Sequence, residues 1–261
     1  MKRLSQRAGA LAGAALFMLA AIEAPCAAEA AVQDAPRFGI LPASVLRNDL
    51  LPDFSREGWV GLVCRAARCE LRPLTLGVLY AQSAESEDFH IFHPSVRRKP
   101  VKSEYTIALL NGFARVPGAP IPTWFTLRTP RVPRDAASGS LGVTIQSPGR
   151  ATWQIVPRWN AKESDDFLTV YLETKDQHGQ MRRQSLGRIS VKAVQSGVST
   201  KDVLVWAGDL DGDGKIDLIT RMDPKAMQPG LQLWLSTLAQ GDSLVGSAAE
   251  LSVGTDVEAA E

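Results

Sequence analysis

The chain has 261 residues, enough for one large domain or two small ones with a real core. Its 29 basic and 28 acidic side chains nearly cancel, to a net charge of +1, which argues against nucleic acid or an anionic membrane as the main partner. No phosphate loop and no dinucleotide fingerprint occurs, so nucleotide chemistry built on those motifs is excluded.

In chain order, the first residues read as a processing signal. Lys2, Arg3 and Arg7 precede an uncharged apolar run over 8–22, and small residues follow at Cys26-Ala27-Ala28-Glu29-Ala30. This predicts a signal peptide over 1–28, cleaved after Ala28 or Ala30. The run is too short for a comfortable membrane span, Glu23-Ala24-Pro25 before Cys26 does not resemble a lipobox, and no later stretch is apolar enough to cross a bilayer. These features predict a soluble chain that is periplasmic or secreted, with no membrane span. Removing 1–28 takes away three basic residues and one acidic residue, leaving 26 against 27.

β-branched and aromatic runs broken by Gly, Pro, Asp and Ser dominate the remainder, and no helical periodicity persists beyond two turns. Strands are expected over 58–63, 69–71, 74–80, 105–110, 124–128, 141–145, 152–156, 167–173, 181–189, 203–206, 218–221, 231–236 and 244–253. The fold class is therefore mainly β, with antiparallel sheets that are sandwich-like or partially propeller-like. A β-rich domain is expected over 29–200 and a hairpin region over 201–255 packed on the same core. The acidic tail 256–261 should fray. Ser196-Gly197-Val198-Ser199-Thr200 is the best boundary between the two regions.

Cys64 and Cys69 bracket Arg65-Ala66-Ala67-Arg68 between strand-like runs, and such positions can face each other across a four-residue hairpin loop. An exported chain favours a structural disulfide there; a redox pair and two unpaired thiols are the alternatives. Pro117, Pro120, Pro122, Pro130 and Pro133 keep 115–134 from being an ordinary central strand, and predict loop with an edge strand. Phe167 to Glu173 should turn through Asp176-Gln177-His178-Gly179 and return from Met181 as a hairpin.

Candidate chemistry is sparse. His90 and His93 lie near Glu85, Glu87 and Asp88, but residues three apart on a strand point to opposite faces, so a shared metal needs a bend. His178 reads as a solvated turn residue. No Gly-x-Ser-x-Gly elbow occurs. Glycosidase-type carboxylate pairs could be drawn from Glu163, Asp165, Asp166 or Glu173, although exposed acidic turns are far commoner. The basic groups at Arg97-Arg98-Lys99, at Arg128, Arg131 and Arg134, and at Arg182-Arg183 read first as charges that keep a sheet soluble. A combined basic patch meeting an anionic partner is the alternative.

The most informative stretch is Asp209-Leu210-Asp211-Gly212-Asp213-Gly214-Lys215-Ile216-Asp217. Carboxylates at positions 1, 3, 5 and 9 with glycine between them repel one another unless a hard cation sits among them, and Ca²⁺ takes six to eight oxygens at flexible geometry. A plain polar turn without metal is the alternative, since Asp and Gly are natural turn residues. An EF-hand is excluded, because position 12 is Thr220 and the context is strand.

With its flanking strands, the stretch resembles the FG-GAP or VCBS repeats of integrin-α-like β-propellers, over about 203–235. The resemblance implies calcium held by the side chains of Asp209, Asp211, Asp213 and Asp217 and by the backbone carbonyl of Lys215. Every loop acid would then be committed to coordination, so the metal is expected to be structural rather than catalytic. The leading expectation is a non-enzymatic, exported, calcium-stabilised binding module that presents loops to a protein or glycan of the cell envelope or outside it. An inhibitor or immunity protein against a cell-wall hydrolase is one form. The alternatives are an envelope hydrolase using His90 or His93 with nearby acids, and a structural subunit of a surface assembly.

Overall fold

A computed structural model describes residues 38–43, 58–66, 68–82, 88–95, 103–113, 118–126, 142–147, 151–159, 166–195, 200–222 and 230–251. The segment expected to be a signal peptide and the acidic tail fall outside these residues. So do 127–141, which carry the later prolines and arginines of the Pro-rich stretch, as well as Arg97-Arg98-Lys99, Glu85, Glu87, Glu163 and Asp165.

The described chain is mainly β, as its alternation and turn residues imply. Three antiparallel sheets and a two-stranded ribbon form, none closed into a barrel. The first sheet runs β1 (Gly39–Pro42), β6 (Glu104–Asn111), β2 (Val60–Arg65), β3 (Arg68–Pro73) and β7 (Pro120–Ile121). The second runs β16 (Gly246–Leu251), β15 (Gly230–Leu235), β14 (Asp217–Met222), β13 (Leu204–Gly208) and β8 (Thr123–Thr126). The third runs β12 (Met181–Ser190), β11 (Phe167–Lys175), β10 (Thr152–Trp159) and β9 (Val143–Gln146). The ribbon pairs β4 (Thr75–Gln82) with β5 (Asp88–Ser95). Two short helices, α1 (Val191–Gln195) and α2 (Thr200–Val203), connect the third sheet to the second.

The second sheet is central, because it shares one core with each of the others. Leu204, Ala207, Leu218 and Trp234 pack with Val143, Ile145, Ile155, Val170 and Leu172 of the third sheet. Val205, Trp206, Ile219, Leu231, Leu233 and Leu235 pack with Leu62, Leu71, Ala108 and Leu110 of the first. Burial on both faces explains why Leu204-Val205-Trp206-Ala207 and Leu231 to Leu235 are nearly unbroken apolar runs. Each such leucine contributes about 1.5–3 kcal/mol by leaving water. Outer strands instead alternate: Val143 and Ile145 are buried while Thr144 and Gln146 are exposed.

Each strand expected from the sequence overlaps an observed one, and 127–128, 141 and 252–253 of the expected ranges lie outside the described residues. Three further strands form. β1 and β7 are short, and β5 carries Asp88, two histidines and Pro94, a composition that masks a strand. Val203 closes α2 rather than opening β13. The Pro-rich stretch supplies an edge strand to two sheets, β7 to the first and β8 to the central one. The 167–189 hairpin forms around Asp176, whose Oδ1 accepts from the backbone N–H groups of His178 (2.8 Å) and Gln180 (2.9 Å), with Gly179 left-handed at φ 77°. A register shift in β12 turns Leu186 into the core.

Cys64 and Cys69 form a disulfide between directly paired residues of β2 and β3, Cα atoms 4.1 Å apart. The ladder continues outward to Arg65 and Arg68, so the connection is tighter than the expected four-residue loop, and Ala66 takes a left-handed φ of 53° within it. Among the described residues no helix is long and apolar enough to cross a membrane.

Candidate metal centre

The aspartate loop spans the gap between β13 and β14 and is pinned at both ends. Gly208 ends β13 where the chain passes close to β8: a Cβ there would lie 2.2 Å from the Pro122 carbonyl oxygen and 2.5 Å from the Trp206 ring. The next N–H, that of Asp209, donates to the same Pro122 oxygen at 2.9 Å. Leu210 and Ile216 are both fully buried, Leu210 in the core shared with the first sheet and Ile216 in the core shared with the third. Between them Gly212 (φ 88°) and Gly214 (φ 80°) adopt left-handed conformations that curl the loop.

This curl brings three carboxylates together. Asp209, Asp211 and Asp217 each offer an oxygen within 4.8 Å of the others. Asp209 and Asp217 are buried and Asp211 half-buried. Asp209 accepts from the N–H groups of Gly212 (2.7 Å) and Gly214 (3.1 Å). Asp217 Oδ2 accepts from the N–H of Leu210 (2.6 Å) and of Asp211 (3.2 Å), while Oδ1 accepts from Ser236 N–H (2.8 Å). Asp213 stands apart from the three. It accepts from Lys215 N–H (2.8 Å) and Ser236 Oγ (2.9 Å), with the exposed Lys215 ammonium 3.7 Å away.

Ser236 and Thr237 were not legible as part of this site. They sit on a 3₁₀ turn (Ser236–Leu238) after β15, where Ser236 Oγ also reaches Asp217 (3.2 Å) and Thr237 Oγ1 donates to Asp211 (2.6 Å). The signal available was a Ser-Thr pair directly after a buried strand that pairs with β14.

Burial pushes the Asp217 carboxyl up to about 7; the N–H of Ser236 opposes the rise, and the Asp211 carboxylate adds to it. A cation acts against burial by supplying counter-charge. The donor set is wholly carboxylate oxygen, with no nitrogen or sulfur, which suits a hard divalent ion such as Ca²⁺. Asp209, Asp211 and Asp217 would hold it, and it would supply charge neutralisation and cross-linking of the loop.

The other sequence candidates are dispersed. His90 and His93 pair with Tyr80 and Gly77 across the ribbon, and their side chains lie outside what the structure describes. His178 is an exposed turn residue. Glu173 is engaged by Arg158, whose Nε and Nη2 donate at 2.7 and 2.9 Å, and this holds its carboxyl below the ordinary range. A general acid needs the opposite shift. Comparison of the chain with protein-family models, curated proteins and solved structures returns no match.

Proposed function

We propose that the protein is an exported, calcium-stabilised β-rich binding module, non-enzymatic, that presents its loops to a protein or glycan of the cell envelope or outside the cell. A plug for the active site of a cell-wall hydrolase is one form of this reading. The convergence of Asp209, Asp211 and Asp217 carries the calcium part, and the Cys64–Cys69 disulfide supports an oxidising compartment.

The ion acts on structure. With a dissociation constant of about 10⁻⁴ to 10⁻³ M, typical of extracellular sites, about 1 mM calcium adds roughly 0.4–1.4 kcal/mol. That stabilises a hairpin already packed on two cores without deciding the fold. Calcium should raise the melting temperature by a few degrees, chelation should reverse the rise, and Asp211→Ala should abolish it. Absence of calcium uptake in native mass spectrometry and in calorimetric titration would sink the reading.

A further inference from the structure

The aspartate loop is closed from outside by the turn that follows β15. Ser236, Thr237 and Leu238 form this 3₁₀ turn, and the Ala239 N–H donates back to the Ser236 carbonyl at 3.1 Å. Its seat is firm. Ser236 is buried, and the Leu238 backbone rests directly on Gly246 of β16, where a Cβ would lie 2.2 Å from the Leu238 carbonyl oxygen.

From this seat two hydroxyls reach different acids of the loop. Ser236 Oγ lies 2.9 Å from Asp213 Oδ2 and 3.2 Å from Asp217 Oδ1, and its single proton serves one of them at a time. Thr237 Oγ1 donates to Asp211 Oδ2 at 2.6 Å. The three converging carboxylates differ in how they are held. Asp209 is buried and accepts from the N–H groups of Gly212 and Gly214. Asp217 is buried and accepts from those of Leu210, Asp211 and Ser236. Asp211 is half-buried, and its one backbone donor is the Asp213 N–H at 3.2 Å. Repulsion from the other two carboxylates, with oxygens within 4.8 Å, favours a rotamer that carries Asp211 into water. The hydroxyl of Thr237 opposes that rotation, since a donor aimed at a charged oxygen makes one of the stronger hydrogen bonds.

We propose that Thr237 is a positioning residue for calcium, its hydroxyl keeping Asp211 turned toward Asp209 and Asp217. The proposal rests on the reading of the loop as a calcium site and adds to it a residue outside the loop. The three-carboxylate set is then already gathered, and binding need not supply the cost of ordering Asp211. Affinity comes to depend on a turn 26 residues beyond Asp211, so the site joins the β13–β14 loop to the end of β15. Removing a hydrogen-bond partner of a metal-holding side chain costs about 10–100-fold in affinity. Thr237 is exposed, which puts its effect at the lower end of that range.

The test is calorimetric titration of calcium into the wild-type protein, Thr237→Val and Thr237→Ser, with melting curves of each in chelator. Valine keeps the branched shape and removes only the hydroxyl. At this exposed position it should leave the melting temperature in chelator within about 2 °C of wild type. Thr237→Val should weaken calcium binding about tenfold, and Thr237→Ser, which keeps the hydroxyl, should retain most of the wild-type affinity. Equal affinity of wild type and Thr237→Val would overturn the proposal. So would an equal loss in Thr237→Ser, because the methyl group rather than the hydroxyl would then matter. A fall in the chelator melting temperature with affinity unchanged would make Thr237 structural only. Calcium uptake by wild type that Thr237→Val does not alter removes the positioning role and leaves the calcium site standing. No uptake by wild type removes both.

Discussion

Asp217 is the loop residue with least freedom to change. It is fully buried, and both of its oxygens accept backbone N–H groups. An amide in its place must aim its own NH₂ at one of these donors. Asp217→Asn should therefore cost about 1–3 kcal/mol in chelator, and in calcium should forfeit the calcium-dependent part as well, measured by urea unfolding. Asp211→Ala, at a half-buried position, should remove only the calcium-dependent part. Glu173 is the second informative residue. Its carboxyl is held below the ordinary range by Arg158, so its contribution is full above the unfolded value of about 4.3. That contribution is lost as pH falls through the lower native value. Arg158→Met strands a buried carboxylate; with Arg158 half exposed, the cost should be about 1–3 kcal/mol near neutral pH. The deficit should shrink as unfolding is followed down to pH of about 3, and a constant deficit would show that Arg158 acts through packing alone.

Among the elements, β13 and β8 meet most tightly at Gly208. A methyl group there collides with the Pro122 carbonyl, a backbone atom that cannot swing away. Gly208→Ala should cost at least about 1–3 kcal/mol and should also weaken the calcium shift, because Asp209 donates to the same carbonyl. A thermal melt of the variant with and without calcium reads both effects. β13 and β15 were plain in the sequence because a strand buried on two faces is apolar at nearly every position, Gln232 being the polar exception in β15. The aspartate loop was plain because its residues are neighbours along the chain. β5 was hidden by Asp88, His90, His93 and Pro94, which look like loop when read singly. Ser236 and Thr237 join the loop from 19 and 26 residues beyond their partners. The grouping of Arg158, Lys175 and Arg183 on one face of the third sheet was equally illegible: they come from three strands, and only strand register makes them neighbours.

At the scale of the whole molecule, three sheets share two cores and the middle sheet belongs to both. Amides of β13, β14 and β15 can exchange only when a flanking layer opens, so they should be the slowest in native-state hydrogen exchange. The outer strands β9 and β12 should exchange much faster; equal protection across all three sheets would contradict the layered account. The exposed edge of the third sheet is its longest strand, and β12 blunts it with Arg182, Arg183, Arg188 and a bulge.

Leu210 and Ile216 give the aspartate loop an unusual mechanical standing. One is plugged into the core on one side of the middle sheet and the other into the core on the opposite side. Such a segment cannot swing out like a flap, because lifting it would unseat a plug from each layer at once. The calcium ion proposed for the loop would act between those plugs as a rivet through the stack, and its release would slacken both layers together.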